Sequence, residues 1–191
     1  MKHLTLLALT ALLLLPAPAR ADDGEGLSTL DKDYLSLGIG MYDFFRVIGV
    51  HDDEDYAAAD MRLEYRAGTT DLFWNIHPWG GLELTSDGSI WGGVGLYRDF
   101  RVGKRIVVTP NFGAGLYAQG GSDLDLGGTL EFRSQIETAY EFDDQSRVGV
   151  ALGHISNAST GDSNPGTEIL SVYYHIPIGH ASGRSSFFEL Y

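Results

Sequence analysis

His154 and Ser156 stand two residues apart, and Glu168 follows twelve residues after the serine. These are the side-chain types that carry nucleophilic acyl chemistry. A hydroxyl is a weak nucleophile until an imidazole takes its proton, and the imidazole needs a carboxylate to hold its tautomer and stabilise its charged form. In that chemistry His154 is the base, Ser156 the nucleophile and Glu168 the orienting carboxylate. Backbone N–H groups just after Ser156, or the Asn157 side chain, would stabilise the oxyanion. A spacing of two serves the pair only on an extended backbone, where positions i and i+2 project from one face.

The surrounding segments predict that backbone. Val148, Val150 and Leu152 alternate with small residues, and the same parity continues into His154 and Ser156. Downstream, Leu170, Val172, Tyr174 and Ile176 share the parity of Glu168, with Ser171, Tyr173 and His175 on the opposite face. A hairpin centred on Gly161 sets Glu168 directly across from His154, with Cβ atoms roughly 5 Å apart. A register shifted by two residues sets it across from Ser156 instead. Either way serine, histidine and carboxylate converge on one patch. Marking the end of an apolar span is the competing account of the same three residues.

Period-two alternation runs through the rest of the chain. Ala59, Met61, Leu63, Tyr65 and Ala67 alternate with Asp60, Arg62, Glu64 and Arg66. The same pattern covers Leu35 to Met41, Leu72 to Thr85, Ile106 to Leu116 and Leu130 to Phe142. With a Gly-rich strand over Ile90 to Tyr97 and the two segments around the candidate site, Arg147 to Asn157 and Thr167 to Ile178, the count is eight strands. Turn-forming stretches such as Ser86-Asp87-Gly88, Asp143-Asp144-Gln145 and Gly161 to Gly166 separate them.

Eight amphipathic strands fit a soluble sandwich or lipocalin-like barrel with its apolar face inside, or a transmembrane barrel with that face outside. The polar faces favour the second. They mix opposite charges with Gly and Ser, as a narrow barrel interior requires, with Arg62, Arg66 and Arg133 expected to pair with Asp60, Glu64, Glu83, Glu131 and Glu137. A soluble surface would carry many lysines, whereas Lys32 and Lys104 are the two that follow the first 21 residues. Aromatic residues near strand ends suit an interfacial girdle. Eight strands leave an interior filled by side chains, so a solute channel is not expected. The fold class read from the chain is an all-β, eight-stranded antiparallel outer-membrane barrel.

Residues 1–21 read as a secretory signal peptide. Lys2 and His3 precede an apolar stretch from Leu4 to Leu15, Pro16 and Pro18 break it, and Ala19-Arg20-Ala21 is a small-residue cleavage pattern. The barrel domain is then 22–191, with a short tail from about 179. Loss of Lys2 and Arg20 takes the formal charge from −13 to −15. That balance argues against a nucleic-acid partner. The absence of Cys excludes disulfides, thiolate zinc sites and cysteine nucleophiles.

Gly153-His154-Ile155-Ser156-Asn157-Ala158, followed by Asn164-Pro165-Gly166-Thr167-Glu168, resembles the signature of the PagL family of outer-membrane lipid A deacylases. The resemblance is specific over about residues 148 to 178. It implies that His154 and Ser156 supply base and nucleophile, and that Glu168 completes the triad. It further implies hydrolysis of the ester-linked acyl chain at position 3 of lipid A, releasing a 3-hydroxy fatty acid with neither cofactor nor metal. The implied partners are lipid A within lipopolysaccharide and the surrounding outer-membrane lipid, with homodimerisation left open. A non-catalytic structural or adhesive barrel and a lipid A acyltransferase are the rival readings. The last 13 residues, Gly179 to Tyr191, depart from the usual barrel ending on an aromatic residue of the final strand, because a Gly/Ser-containing tail precedes Phe187, Phe188 and Tyr191.

Other candidates read as structural. The acidic run Asp52 to Asp55 suits a solvated loop, although it has the oxygen chemistry to hold Ca²⁺ or Mg²⁺. His77 and His175 are expected inside the barrel as hydrogen-bonded residues, and His51 and His180 in loop or tail. Gly38, Gly40, Gly113 and Gly115 read as close packing in a narrow interior. Intact-mass measurement of the exported protein is expected to show a chain starting at Asp22; a mass that retains residues 1–21 would contradict the cleavage reading.

Overall fold

The computed structural model describes residues 32–44, 58–121, 125–161 and 163–179. The eight strands are β1 (Asp33–Tyr42), β2 (Ala59–Arg66), β3 (His77–Thr85), β4 (Ile90–Tyr97, resumed at Phe100–Val102), β5 (Ile106–Ala118), β6 (Leu130–Glu141), β7 (Arg147–Ser156) and β8 (Thr167–Ile178). The two pieces of β4 are one strand. Tyr97 pairs with Asn111, Phe100 with Val108, and Arg98 N–H donates to Pro110 O between them, so the register never shifts.

Each strand pairs antiparallel with its sequence neighbour, and β1 pairs with β8, which closes the sheet into a barrel. Closure is what permits the alternation, since no strand edge is left without a backbone partner. Asp33 lies opposite Ile178, so both ends of the barrel chain meet at one rim, together with the turns at 67–76, 103–105 and 142–146. The other rim carries the connection 86–89 and the described parts of two more, 119–121 with 125–129 and 157–161 with 163–166.

Burial follows parity. In β2 every odd position is exposed and every even position buried; Met61 is 67 % exposed beside Arg62 at 3 %. The outer wall is therefore leucine, isoleucine, valine and tyrosine, and the interior is polar. Inside, Arg62 reaches Glu83 at 3.0 Å, Gln135 at 3.1 Å and the Tyr173 hydroxyl at 3.1 Å, and also holds Asp60. Arg133 bridges Glu83, at 3.0 Å, and Glu64, while Arg66 bridges Glu64 at 3.1 Å and Glu137 at 2.8 Å. Burying one of these charges alone would cost several kcal/mol; each is tolerated because it is paired and hydrogen-bonded.

The structure departs from the sequence-based expectations in three places. Glu131 does not join the arginine network; neither of its carboxylate oxygens has a hydrogen-bond partner among the described residues. It lies one interior position outward of Arg133, whose guanidinium turns inward to Glu64 and Glu83. The third strand begins at His77, not Leu72. Residues 71–76 form a tight turn with Trp74 and Asn75 at φ 53° and 57°, capped by Asp71 Oδ1 accepting Asn75 N–H at 3.0 Å. Two of the three tryptophans face inward: Trp79 and Trp91 are buried, with the Arg133 guanidinium 4.2 and 5.0 Å from their ring centroids, a cation–π arrangement. The outward aromatics near the terminal rim are Tyr65, Phe73, Trp74, Tyr140, Phe142 and Tyr174.

Gly113 and Gly115 make room for those indoles. A Cβ at either would come within 2.5 Å of Trp79 or 2.6 Å of Trp91. His77 Nδ1 meets Thr70 O at 2.9 Å and His175 Nδ1 meets Ser36 Oγ at 2.7 Å, so both are hydrogen-bonded interior residues as expected. His51, His180, the acidic run Asp52 to Asp55, the leader and the tail beyond Gly179 lie outside the described residues.

Removing Arg133 leaves Glu64 and Glu83 buried with a missing partner. Arg133→Ala is expected to lower unfolding stability in lipid vesicles by about 3–5 kcal/mol, the usual cost of breaking a buried pair. A loss below about 1 kcal/mol in denaturant titrations would show that the network is dispensable.

Candidate active site

The hairpin of β7 and β8 positions the three residues singled out by the sequence. Its register pairs His154 with Glu168, and Val150 with Val172 deeper in the wall. His154 and Glu168 therefore share the lipid-facing side with Val148, Val150 and Leu152, at the rim opposite the chain ends. His154 Nδ1 lies 3.4 Å from Glu168 Oε1. The other ring nitrogen, Nε2, is buried with no hydrogen-bond partner among the described residues. A carboxylate beside Nδ1 favours the tautomer with its proton there, which leaves the lone pair on Nε2.

Ser156 occupies the next position outward on the same face, but it is not bare to lipid: it is only 5 % exposed. Part of the cover is Gly166, which takes the place across from Ser156 at the mouth of the hairpin. Its φ of 63° suits glycine, and a Cβ there would stand 3.0 Å from His154 Cε1 and 3.2 Å from Ser156 Cβ. Gly166 is thus required twice over, for its backbone conformation and for the space it leaves beside the imidazole. The Pro165-Gly166 pair is the sequence signal for it.

The loop beyond Ser156 is organised by Asn157. Ala158 and Ser159 both adopt left-handed backbone, at φ 54° and 64°, and Thr160 N–H closes the turn onto Asn157 O at 3.0 Å. The Asn157 side chain is committed to this loop and to the neighbouring 125–129 segment. Its Nδ2 donates to Ser163 O at 2.6 Å and Leu126 O at 3.3 Å, and its Oδ1 accepts from Ser159 N–H at 2.9 Å. The Asn157 backbone N–H donates to Asn164 Oδ1 at 3.1 Å. The Asn157 side chain, offered by its place beside Ser156 as an oxyanion donor, therefore braces the loop instead, whereas the nearby Asn164 Nδ2 makes among the described residues only a long contact, 3.4 Å, with Ser159 Oγ.

One residue of the patch escaped the sequence reading. Ser134 in β6 pairs with His154, and Phe132 pairs with Ser156. Ser134 has lipid-facing parity yet is buried, between Phe132 and Ile136 along its strand and across from Phe112 on β5. A hairpin centred on Asp144 would have found it by the arithmetic that found Glu168. Among the described residues no group of three or more His, Cys, Asp or Glu side chains is arranged to hold a metal ion.

A closed eight-stranded barrel with an apolar wall, a charged interior and a polar patch at one rim is an outer-membrane β-barrel protein. The chain belongs to the PagL family: the family model described as lipid A 3-O-deacylase (PagL) matches residues 45–177. The lipid A deacylase PagL of Pseudomonas aeruginosa is 39 % identical over 56 residues, 29 % of this chain and 32 % of that protein. That of Bordetella bronchiseptica is 25 % identical over 113 residues, 50 % of this chain and 63 % of that one. The matches thus span less than two-thirds of either curated relative. The crystal structure of the outer-membrane enzyme PagL superimposes with a TM-score of 0.54 at 21 % identity, over 76 % of this chain and 99 % of that one. A de novo designed transmembrane β-barrel superimposes as well, at 0.55 with 8 % identity, over 81 % of this chain and 100 % of the design, so the likeness in shape speaks for the fold alone.

If Asn157 braces the loop, Asn157→Ala should release it without opening the barrel. Hydrogen exchange at Ser159 and Thr160 is expected to speed up by about tenfold or more, from the loss of buried hydrogen bonds, while exchange in the β7 and β8 ladders stays slow. Unchanged exchange at those two amides would remove Asn157 from this role.

Proposed function

We propose that this protein is a lipid A 3-O-deacylase: an outer-membrane serine esterase that hydrolyses the ester-linked 3-hydroxyacyl chain at position 3 of lipid A. Membership of the family supports the substrate class. The observation that carries the mechanism is the hairpin pairing of His154 with Glu168, Nδ1 to Oε1 at 3.4 Å, on the lipid-facing side beside Ser156, with Nε2 unpartnered.

The chemistry follows from those positions. Ser156 Oγ attacks the acyl carbonyl as its proton passes to His154 Nε2, and Glu168 stabilises the resulting imidazolium. The tetrahedral oxyanion needs a donor that is not already engaged. Asn157 has spent its amide protons on the carbonyls of Ser163 in its own loop and Leu126 in the neighbouring connection, so the Asn164 carboxamide is the better supported donor; its Oδ1 is tied to the N–H next to Ser156, and among the described residues its Nδ2 has only the long contact to Ser159 to give up. Collapse of the adduct expels the sugar alkoxide, which takes the proton from Nε2. Water then attacks the acyl carbonyl as its proton passes to the same nitrogen, and the second adduct collapses by breaking the bond to Ser156 Oγ, which takes that proton back as the 3-hydroxy acid leaves. The 3.4 Å separation is longer than an ideal hydrogen bond, and catalytic contacts commonly tighten when substrate binds.

Orientation supports the substrate. Outer-membrane barrels keep short turns on the periplasmic side and longer loops outside. The rim where Asp33 meets Ile178 carries the short turns 103–105 and 142–146 beside the longer 67–76, and the site lies on the opposite rim. Its lipid-facing patch then lies at the level of the outer leaflet, where lipid A carries its acyl esters.

Expression of the wild type in a Gram-negative host is expected to lower the lipid A mass by one 3-hydroxyacyl chain. Ser156→Ala should leave it unaltered, with hydrolysis reduced by about 10⁴-fold or more. Unmodified lipid A with the wild type, or continued deacylation by the variant, would overturn the proposal; a gain in mass would point to acyl transfer.

A further inference from the structure

We infer that Ser134 is a specificity-determining residue of this site, whose hydroxyl binds a hydroxyl group carried near the ester carbonyl on the acyl chain being removed. The inference rests on the esterase reading above and deepens it.

Three observations converge on Ser134. It is the small polar residue in a stretch of lipid-facing wall that is otherwise apolar: Phe132 precedes it and Ile136 follows it on β6, Phe112 lies across on β5, and Leu152 comes next below His154 on β7. It pairs directly with His154, so it shares one transverse row with the imidazole and Glu168 and is diagonal to Ser156. At 2 % exposure it forms the floor of the wall, while Phe112 and Phe132, stacked with centroids 6.1 Å apart, are half-buried beside it. No side-chain hydrogen bond is made to Ser134 by the described residues. A hydroxyl facing hydrocarbon without a partner costs about 1–3 kcal/mol, so an apolar residue would serve the wall better unless something polar comes to meet it.

The path of a bound acyl chain brings such a group. From Ser156 the chain must run down the wall toward the bilayer centre. On the β8 side it would meet His154 and the Glu168 carboxylate; on the β6 side it meets Phe132, Ser134 and Ile136. Diagonal cross-strand Cβ atoms are about 7–8 Å apart, which leaves roughly 5–6 Å between two serine hydroxyls that lean toward each other. A hydroxyl on the third carbon of an acyl chain is three bonds from the attacked carbonyl carbon. It extends about 3–4 Å from that carbon, and a hydrogen bond adds about 2.8 Å. A 3-hydroxyacyl chain held at Ser156 therefore fits the span to Ser134. An unsubstituted chain would leave the Ser134 hydroxyl covered and unpaired, and would bind less well for that reason.

The test compares hydrolysis of two esters of equal chain length by the purified, lipid-reconstituted protein, one 3-hydroxyacyl and one unsubstituted. The wild type is expected to prefer the hydroxylated ester in kcat/KM. Ser134→Ala should reduce that preference about 3- to 10-fold, the range of one neutral hydrogen bond, through the hydroxylated ester alone. Ser134→Thr, which keeps a hydroxyl, should retain more of the preference than Ser134→Ala. Heat-modifiable gel mobility confirms that each variant is a folded barrel. An equal loss on both esters, or an unchanged preference, would overturn the Ser134 assignment and leave the esterase reading intact. Hydrolysis of both esters by Ser156→Ala would instead overturn the esterase reading itself.

Discussion

Hydrocarbon offers no hydrogen-bond partner, so a chain that crosses it must pair every backbone amide within itself and choose a side for every side chain. Eight strands closed through the pairing of β1 with β8 satisfy the first demand, and strict period-two alternation satisfies the second. The narrow bore that results is filled by arginines and carboxylates that neutralise one another around Tyr173 and Gln135, stiffened by two inward tryptophans under Arg133. The barrel interior is a salt-bridged core in place of an apolar one, and the outer wall is free to be a working surface.

The candidate site uses that freedom. A polar residue on the lipid side of a membrane strand is costly and needs a reason. Here Ser134, His154 and Glu168 form one transverse row across three adjacent strands, with Ser156 just above it. The cost is offset by placement at the rim, where Ser156 is almost covered and Gly166 lets the backbone approach both it and the imidazole. A soluble esterase must draw its lipid out of the membrane. On the proposed reading, a wall-mounted nucleophile would meet an acyl chain that already lies alongside the protein, so much of the work of orienting substrate would be done by the bilayer.

Much of this was legible in the residues because both the fold and the site depend on parity. Ala59 to Ala67 announces its inward and outward faces without ambiguity, and the arithmetic of a hairpin centred on Gly161 gives the His154 to Glu168 register that the structure has. What was not legible arises where residue type or local bonding competes with parity. Trp79 and Trp91 look like girdle residues by type, yet they share the inward parity of His77 and Glu83 and fill space that Gly113 and Gly115 on the neighbouring strand leave open. Residues 71–76 keep an alternating pattern yet form a turn, because Asp71 caps Asn75 locally. Asn157 beside a candidate nucleophile suggests an oxyanion donor until the carbonyls of Leu126 and Ser163, distant or across the loop, are seen to claim both of its protons.

The central claim is that Ser156 is the nucleophile of a lipid-facing site. Reaction of the folded protein with a long-chain alkyl fluorophosphonate, followed by peptide mass spectrometry, tests it most directly. A single covalent adduct on Ser156 is expected, one that fails to form in His154→Ala, with Ser134 unlabelled. An adduct on another residue, or ester hydrolysis that continues with Ser156 unmodified after exhaustive treatment, would contradict it.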